Sequence, residues 1–567
     1  MRHFYNDLSI VLGGAAGQGV QTVEAILVQV LKREGYQVSA CKEYMSRVRG
    51  GSNSTEVRLS SKKHRAYVRR IDFLFAMDGN VVPHLAARID DHTIVFGEKE
   101  RIKESGTLAH FVDTPMTKFA EEVGNPLYAN TVAVGVILGI LGAEDAIFHA
   151  FLREFFARKG EEMVAKNIEA GERGYRFGKH VAYQEDIEIA LPRDKKYAKE
   201  LLLDGNTSLG LGALAGGCNF ISSYPMSPGT GVLTFLAQKG KDFGVVVDQA
   251  EDEISAINMA LGASYAGARA IVTTSGGGFD LMQEGVSLSG IIETPIVIHI
   301  GMRPGPATGL PTRTEQGDLN LALYAGHGEF PRAIYTPGVP EEGISMMQQA
   351  FETADKFQIP VFVLSDQHFL DSQSSIPEKM VEMLPIQKHI VESAADYARY
   401  RLTDDGISPR GVPGFGAGLV MVDSDEHDET GHITESYEVR EKMMEKRMKR
   451  LTAMAEEAVM PTEMDNYAKA DVAVVSFGSN KTVMEEALRA LRSKRLGGLH
   501  FAQVYPINPK AKELLEGKEI VVVENNFRGQ FADLLVRELG VTVSKRILKS
   551  TGEPFSVEEL IEEMRAL

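Results

Sequence analysis

A chain of 567 residues, 44% hydrophobic and 25% charged, has room for several domains with proper cores and the balance of a soluble globular protein. Its net charge of −17 argues against a nucleic-acid footprint and suits solubility and docking on basic surfaces. Two cysteines, Cys41 and Cys218, are too few for a disulfide framework, a zinc site or an iron–sulfur cluster; both are expected as buried small side chains in a reducing cytoplasm.

The opening MRHFYNDLSIVLGGAAGQGV lacks a signal-peptide pattern, and no apolar run of about 18 residues follows anywhere, so a cytoplasmic protein without a membrane helix is expected. LSIVLGG reads as a buried strand, a glycine-rich turn follows, and VQTVEAILVQVLKREG reads as an amphipathic helix ended by Gly35. QVSACKEY, STEVRLS and IDFLFAMDG add strands, whereas TVAVGVILGIL is a buried helix or strand that periodicity cannot assign. A polar join, DIEIALPRDKKYAKE, precedes a small-residue helix, DGNTSLGLGALAGG. FGVVVDQAEDE, RAIVTTSGGGF, TPIVIHIG and IPVFVLSD are β-branched runs with helical patterns between them, the signature of a parallel, doubly wound sheet. Residues 401–431 are glycine- and proline-rich and irregular, ESYEVREKMMEKRMKRLTAMAEEA is a charged helix, and residues 468–567 form a further small α/β unit.

Several stretches have the residue types of a binding site. GGAAGQGV (13–20) could offer backbone N–H groups to a phosphate or serve only as a tight packing turn; it is neither a clean dinucleotide fingerprint nor a P-loop. In EYMSRVRGGSNS, Arg47 and Arg49 beside flexible glycines suit an anion, or a solvated loop. ISSYPMSPGT is too proline-rich for a helix interior or a central strand, so it forms a stiff loop. Asp248, Glu251, Asp252 and Glu253 cluster where a strand meets a helix with Ala256, Ala260, Ala263 and Gly267. Such carboxylates can simply stabilise a helix start, but this edge of a parallel sheet is where ligands bind. TTSGGGFD, with Ser275, Gly276 and Gly277, ends the next strand at the same edge. In GPATGLPTRTEQGDL, Arg313 suits a bidentate grip on a carboxylate, or a salt bridge to Glu315 or Asp318.

Taken together, YPMSPGT, EDEISAINMALGASYAGARAIVTTSGGGF, GLPTRTEQGDL, DEHDETGH and ENNFRGQ, in this order behind GGAAGQGV, resemble the alpha subunit of 2-oxoacid:ferredoxin oxidoreductases. The resemblance covers essentially the whole chain and is to the fused form in which a gamma domain precedes the alpha domains, most like the 2-oxoglutarate type. It implies an α/β protein with a gamma-type domain at 1–190, a pyrimidine-binding domain of a thiamine enzyme at 191–425, a linker helix at 426–467 and a transketolase-C-like domain at 468–567. It also implies oxidative decarboxylation of a 2-oxoacid to an acyl-CoA and CO2, with electrons passed to ferredoxin, or the reverse carboxylation.

On this resemblance, Tyr224, Pro225, Met226, Ser227, Pro228, Gly229 and Thr230 line the substrate pocket, with the Ser227 hydroxyl against substrate. Met226 and Gly229 depart from the family's YPITPSS pattern and leave the substrate open among 2-oxoglutarate, pyruvate and branched-chain acids. Glu253 takes the place of the carboxylate that hydrogen-bonds the thiamine aminopyrimidine, and Arg313 that of the arginine on the substrate carboxylate. Tyr224, Pro225, Ser275, Gly276 and Gly277 would complete the cofactor wall; a second substrate carboxylate would need an added basic group, for which Arg47 or Arg49 are candidates on their loop and charge alone. No GDG…NN-like motif for diphosphate and magnesium is present, so this chain ligates no metal. A beta subunit would bring thiamine diphosphate, Mg2+ and a [4Fe–4S] cluster, in an αβ or (αβ)2 complex using coenzyme A as co-substrate. A non-oxidative thiamine enzyme and a non-catalytic scaffold subunit are the rival readings. The GGAAGQGV domain weighs against the first, and retention of Glu253, Ser227 and Arg313 against the second.

Overall fold

The computed structural model describes residues 2–46 and 50–567, which fall into two compact units. Arg47 and Arg49 lie outside the described residues. The first unit comprises Met1–Leu203 with Ser372–Glu378 and Ser556–Glu558, and the second comprises Asp204–Asp371, Lys379–Phe555 and Glu559–Leu567.

The first unit is built on an eight-stranded mixed sheet. Asp7–Ala16 pairs in parallel with Phe73–Ala76, and Ile94–Gly97 and Phe111–Asp113 continue that side. On its other side Gly50–Ser60 and then Val38–Glu43 run antiparallel, and Ser372–Ile376 pairs antiparallel with Val38–Glu43. That last strand comes from far along the chain, in a stretch with no periodicity to announce it. The ambiguous apolar run is a helix, Ala129–Ile140, buried on all sides, which is why its sequence carries no stripe. It packs on Glu161–Gln184 through facing glycines. A Cβ at Gly135 or Gly139 would strike the backbone at Gly171 or Tyr175, and one at Gly174 or Gly178 the carbonyl of Val132 or Val136. The glycine-rich turn is likewise explained by packing. A side chain at Gly13 would strike Val81, one at Gly14 would crowd Gln18 and Val20, and Gly19, with φ 82°, abuts Asn130.

The second unit holds a seven-stranded sheet in which Val246–Gln249, Phe220–Ser223, Ala270–Ser275, Ile296–Met302, Pro360–Asp366 and Ala333–Tyr335 are parallel neighbours in that order. Burial alternates along the central strands. Ile271, Val297, Val361 and Val363 face one core with helices Gly205–Ala215, Thr230–Phe243 and Pro340–Phe357. Val272, Ile298, Ile300, Phe362 and Leu364 face the other with helices Glu253–Tyr265 and Gln283–Ile291. The sheet is therefore wound on both faces, as the β-branched runs require, and each fully buried Val, Ile or Leu contributes about 1.5–3 kcal/mol. A five-stranded sheet follows, centred on Leu496–Phe501, Val472–Phe477 and Glu519–Glu524. It shares a core with the first through Val475, Phe477, Leu499 and Phe501, and Gln503–Tyr505 crosses to pair antiparallel with Ala333–Tyr335. The expected α/β class is borne out. Cys218 is buried, which pushes its thiol up to about 12, while Cys41 is only half-buried rather than buried as expected. Among the described residues no helix is long and apolar enough to cross a membrane.

Candidate active site

Parallel strands deliver their carboxyl ends to one edge, and in the second unit Ser223, Gln249, Ser275 and Met302 end there side by side. The loop after Ser223 carries the residues expected to form the substrate wall. Tyr224 is 40% exposed and Ser227 is exposed, whereas Pro228 and Gly229 are buried behind them. The loop is pinned from beneath. Thr273 Oγ1 donates to the Gly229 carbonyl (2.9 Å), Arg303 Nη1 to the Ser227 carbonyl (2.7 Å), and the Thr273 amide to Ser223 Oγ (2.9 Å). Thr273 Oγ1 also meets His299 Nδ1 at 2.7 Å, and His299 Nε2 meets Ser365 Oγ at 2.7 Å. Because the threonine hydroxyl gives its proton to a carbonyl, His299 must donate from Nδ1 and accept at Nε2. Burial, which pushes its pKa down to about 3, keeps it in that neutral form. Gly229, one of the departures from the family pattern, has a packing cause: a Cβ there would lie 2.5 Å from the Thr274 carbonyl.

Glu253 opens the next helix. Asp252 caps it, its carboxylate accepting from the Ser255 amide at 2.7 Å, so the acidic cluster does stabilise a helix start. Glu253 itself is different: it is 3% exposed, and its Oε1 is buried without a hydrogen-bond partner. Burial raises its pKa, a backbone hydrogen bond partly opposes this, and the Asp252 charge adds to it. The turn Gly276–Phe279 lies against it, and a side chain at Gly278 would strike both Glu253 Oε1 and Thr274 Oγ1. Ser275, at the head of that turn, also has a buried, unpartnered Oγ. Gly277 faces open space apart from the Ala307 carbonyl, 3.7 Å from where its Cβ would be.

Two residues without a motif of their own join this group. Arg303 follows the strand Ile296–Met302, binds the Ser227 carbonyl with one guanidinium nitrogen and has a buried, unpartnered Nε. Asp318 lies over Gly276, where a Cβ would be 2.5 Å from either carboxylate oxygen, and its Oδ2 is buried without a partner. In sequence, the clue would have been one arginine just past a buried strand and one aspartate after a glycine. Arg313 is five residues before Asp318 in the same loop. Its Nη1 donates to the Thr312 carbonyl (3.2 Å), and its stem packs where a Gly552 side chain would go. The structure thus gathers Ser227, Glu253, Ser275, Gly276, Arg303 and Asp318 around one turn, and shows Arg313 fixed on the same loop as Asp318.

That loop is held by ENNFRGQ. The Gln316 amide donates to the Asn525 carbonyl (2.7 Å), Gln316 Oε1 accepts from the Asn525 amide (3.1 Å), and Asn526 Nδ2 donates to the Gln316 carbonyl (3.2 Å). Gln530 donates to the Gly317 carbonyl (2.8 Å) and accepts from the Asn320 amide (2.8 Å). The asparagines therefore position a site loop. A cavity of about 790 Å3 beside the helix Glu253–Tyr265 is lined by Ile254, Leu281, Phe330 and Met444 but by none of the residues just gathered.

Two family models match the chain. The thiamine-diphosphate-binding model of pyruvate flavodoxin/ferredoxin oxidoreductase covers residues 211–446, and the pyruvate ferredoxin/flavodoxin oxidoreductase model covers residues 9–177. A Sulfolobus 2-oxoacid:ferredoxin oxidoreductase subunit alpha is 31% identical, over 98% of this chain and 96% of its own. The chain belongs to the 2-oxoacid:ferredoxin oxidoreductase alpha-subunit family. The 2-oxoglutarate oxidoreductase subunit KorA of Mycobacterium tuberculosis is 31% identical over 77% of this chain and 68% of its own. The solved 2-oxoglutarate:ferredoxin oxidoreductase of Magnetococcus marinus, with 2-oxoglutarate, coenzyme A and succinyl-CoA bound, superposes with a TM-score of 0.91 at 29% identity, covering 99% of both chains. An alpha subunit works in a multi-subunit complex, and its thiamine-diphosphate domain contains Glu253. The residues fit that cofactor's pyrimidine end: a buried, unpartnered carboxyl oxygen with a raised pKa, facing a turn cleared by glycine, has the chemistry to share a proton with a ring nitrogen.

Proposed function

We propose that this alpha subunit serves a coenzyme-A-dependent 2-oxoglutarate:ferredoxin oxidoreductase, which converts 2-oxoglutarate to succinyl-CoA and CO2 with two electrons passed to ferredoxin, or runs the reverse carboxylation. The observation that carries the substrate choice is the full-length likeness to the Magnetococcus enzyme with 2-oxoglutarate and succinyl-CoA bound. Thiamine diphosphate, once bound, supplies the carbon nucleophile for the keto group and the sink for the electron pair that decarboxylation leaves. Within this chain, Glu253 holds the hydrogen bond at the pyrimidine ring. The Ser227 hydroxyl, on a loop pinned by Thr273 and Arg303, contacts the 2-oxoacid. Arg313 grips its carboxylate. Tyr224 to Thr230, with Ser275 to Gly277, form the wall. Because the loop is pinned before substrate arrives, little ordering cost remains for the reaction.

The beta subunit would hold the diphosphate, Mg2+ and the [4Fe–4S] cluster, in an αβ or (αβ)2 assembly. The test is anaerobic reduction of a low-potential dye by the co-purified complex with coenzyme A and, separately, 2-oxoglutarate, pyruvate and a branched 2-oxoacid. Preference for 2-oxoglutarate is expected. Faster reduction with pyruvate would keep the family chemistry and overturn the substrate.

A further inference from the structure

Buried polar atoms in folded proteins almost always have a hydrogen-bond partner. In this group four do not: Glu253 Oε1, Ser275 Oγ, Arg303 Nε and Asp318 Oδ2. They are neighbours. Glu253 and Asp318 flank Gly278 and Gly276 of one turn, Ser275 heads that turn, and Arg303 leaves the adjacent strand, whose Gly301 is in register with Ser275. A set of unspent polar atoms at the ligand-binding edge of a parallel sheet points to a ligand that completes it.

Glu253 is accounted for by the cofactor. Of the other three, the serine hydroxyl and the arginine Nε–H are donors, so they suit an anionic oxygen. Asp318 fits the same ligand only as a neutral carboxyl, which carries an O–H; as a carboxylate it would repel the anion.

We infer that Asp318 is a ligand-binding residue of this site, a carboxyl that keeps its proton and donates it in a hydrogen bond to an anionic oxygen of the bound 2-oxoacid, beside Ser275 and Arg303. This rests on the reading of the site as one for a 2-oxoacid. The surroundings agree. Burial pushes the Asp318 pKa up to about 7, the Glu315 carboxylate adds to the rise, and Arg303 opposes it. The turn packed beneath it, Gly276–Phe279, brings no charge. An arriving anion acts like Glu315 and raises the pKa further, so substrate binding takes up a proton.

The experiment uses the complete complex with Asp318→Asn, which keeps the shape and an N–H donor but does not titrate, and Asp318→Ala, which removes both. In the wild type, KM for the 2-oxoacid should rise about fivefold or more from roughly pH 6.5 to 8 while kcat changes less. Asp318→Asn should abolish the pH slope of KM, and Asp318→Ala should raise KM about tenfold or more at the acidic end. An asparagine variant as impaired as the alanine one, or one that keeps the slope, would overturn the inference.

A second readout needs no turnover. The folded pKa lies above the unfolded one, so the acidic side favours the fold and the advantage is lost as pH rises toward about 7. The Tm of the substrate-free wild-type complex should therefore fall relative to Asp318→Asn between about pH 5 and 8. Parallel Tm curves would show that the carboxyl holds no proton and overturn the inference with the 2-oxoacid reading intact. No turnover of any 2-oxoacid by the wild type would instead remove the ligand itself, and with it both readings.

Discussion

At Glu253 two requirements compete. A carboxyl that shares a proton needs a partly dry setting, and drying it without a partner costs stability. The protein accepts that cost: Oε1 is unpartnered and the pKa is raised. Glu253→Gln should therefore leave Tm unchanged or slightly higher while lowering kcat of the complex by about 100-fold or more. An activity within a few-fold of wild type in the assembled complex would remove Glu253 from the mechanism. Gly278→Ala should reproduce part of this loss, because the added methyl falls on Glu253 Oε1 and Thr274 Oγ1. Glu253 and Ser227 were visible in the sequence as candidates because each sits in a long motif. Arg303 and Asp318 were not, since a lone charge after a strand is ordinary until the fold shows that its buried atom has no partner.

At the scale of elements, the β-branched runs announced the parallel sheet because strands buried on both faces must be apolar at every position. The same logic fails for Ala129–Ile140, where a helix buried all round has no polar face to betray its period. Its glycines held the information in another form. Gly135 and Gly139 face Gly171, Gly174 and Gly178 so closely that the backbones touch. Gly174→Ala sets a gain in helix propensity of about 1 kcal/mol against an overpacking cost of about 1–3 kcal/mol. The obstacle is the Val132 carbonyl, part of a helix backbone that cannot swing aside as a flexible side chain could, so the cost should win. Calorimetry should show the variant melting lower, by roughly 2–4 °C per kcal/mol lost. A higher Tm would mean that the helices separate without penalty. The strand Ser372–Ile376 was illegible for a different reason: SQSSI is short and polar, and only its pairing between Val38–Glu43 and Leu201–Asp204 makes it a strand.

Over the molecule as a whole, the long irregular stretch and the charged helix after it raise the question of what fixes them. DEHDETGH lies against that helix. Glu426 pairs with Arg447 (2.7 Å) and Arg440 (2.5 Å), and the His427 ring lies over Tyr400 with centroids 3.9 Å apart. The helix Tyr437–Glu456 is in turn bound to the seven-stranded sheet's layer through Glu293, which is fully buried. Lys446 Nζ donates to both Glu293 oxygens (2.8 and 2.6 Å), Arg450 lies 3.4 Å away, and Arg399 donates to the Glu293 carbonyl (2.6 Å). Burial raises the Glu293 pKa, but Lys446, Arg450 and Arg399 together outweigh it and hold the carboxyl down at about 2. Its folded pKa is thus below its unfolded one. The stabilisation is present above the ordinary carboxylate range and is lost as pH falls from about 4.5 toward 2. Replacing a buried pair by apolar residues can be neutral, but removing one partner leaves the other charges stranded. Glu293→Gln should therefore cost about 3–5 kcal/mol at neutral pH. The variant should also lose less stability than the wild type on acidification, so that their denaturation midpoints converge as pH falls to about 3. Midpoints that stay equally far apart from neutral pH to that limit would show that the Glu293 charge does not hold the helix, leaving its apolar contacts through Met443 and Met454 to do so.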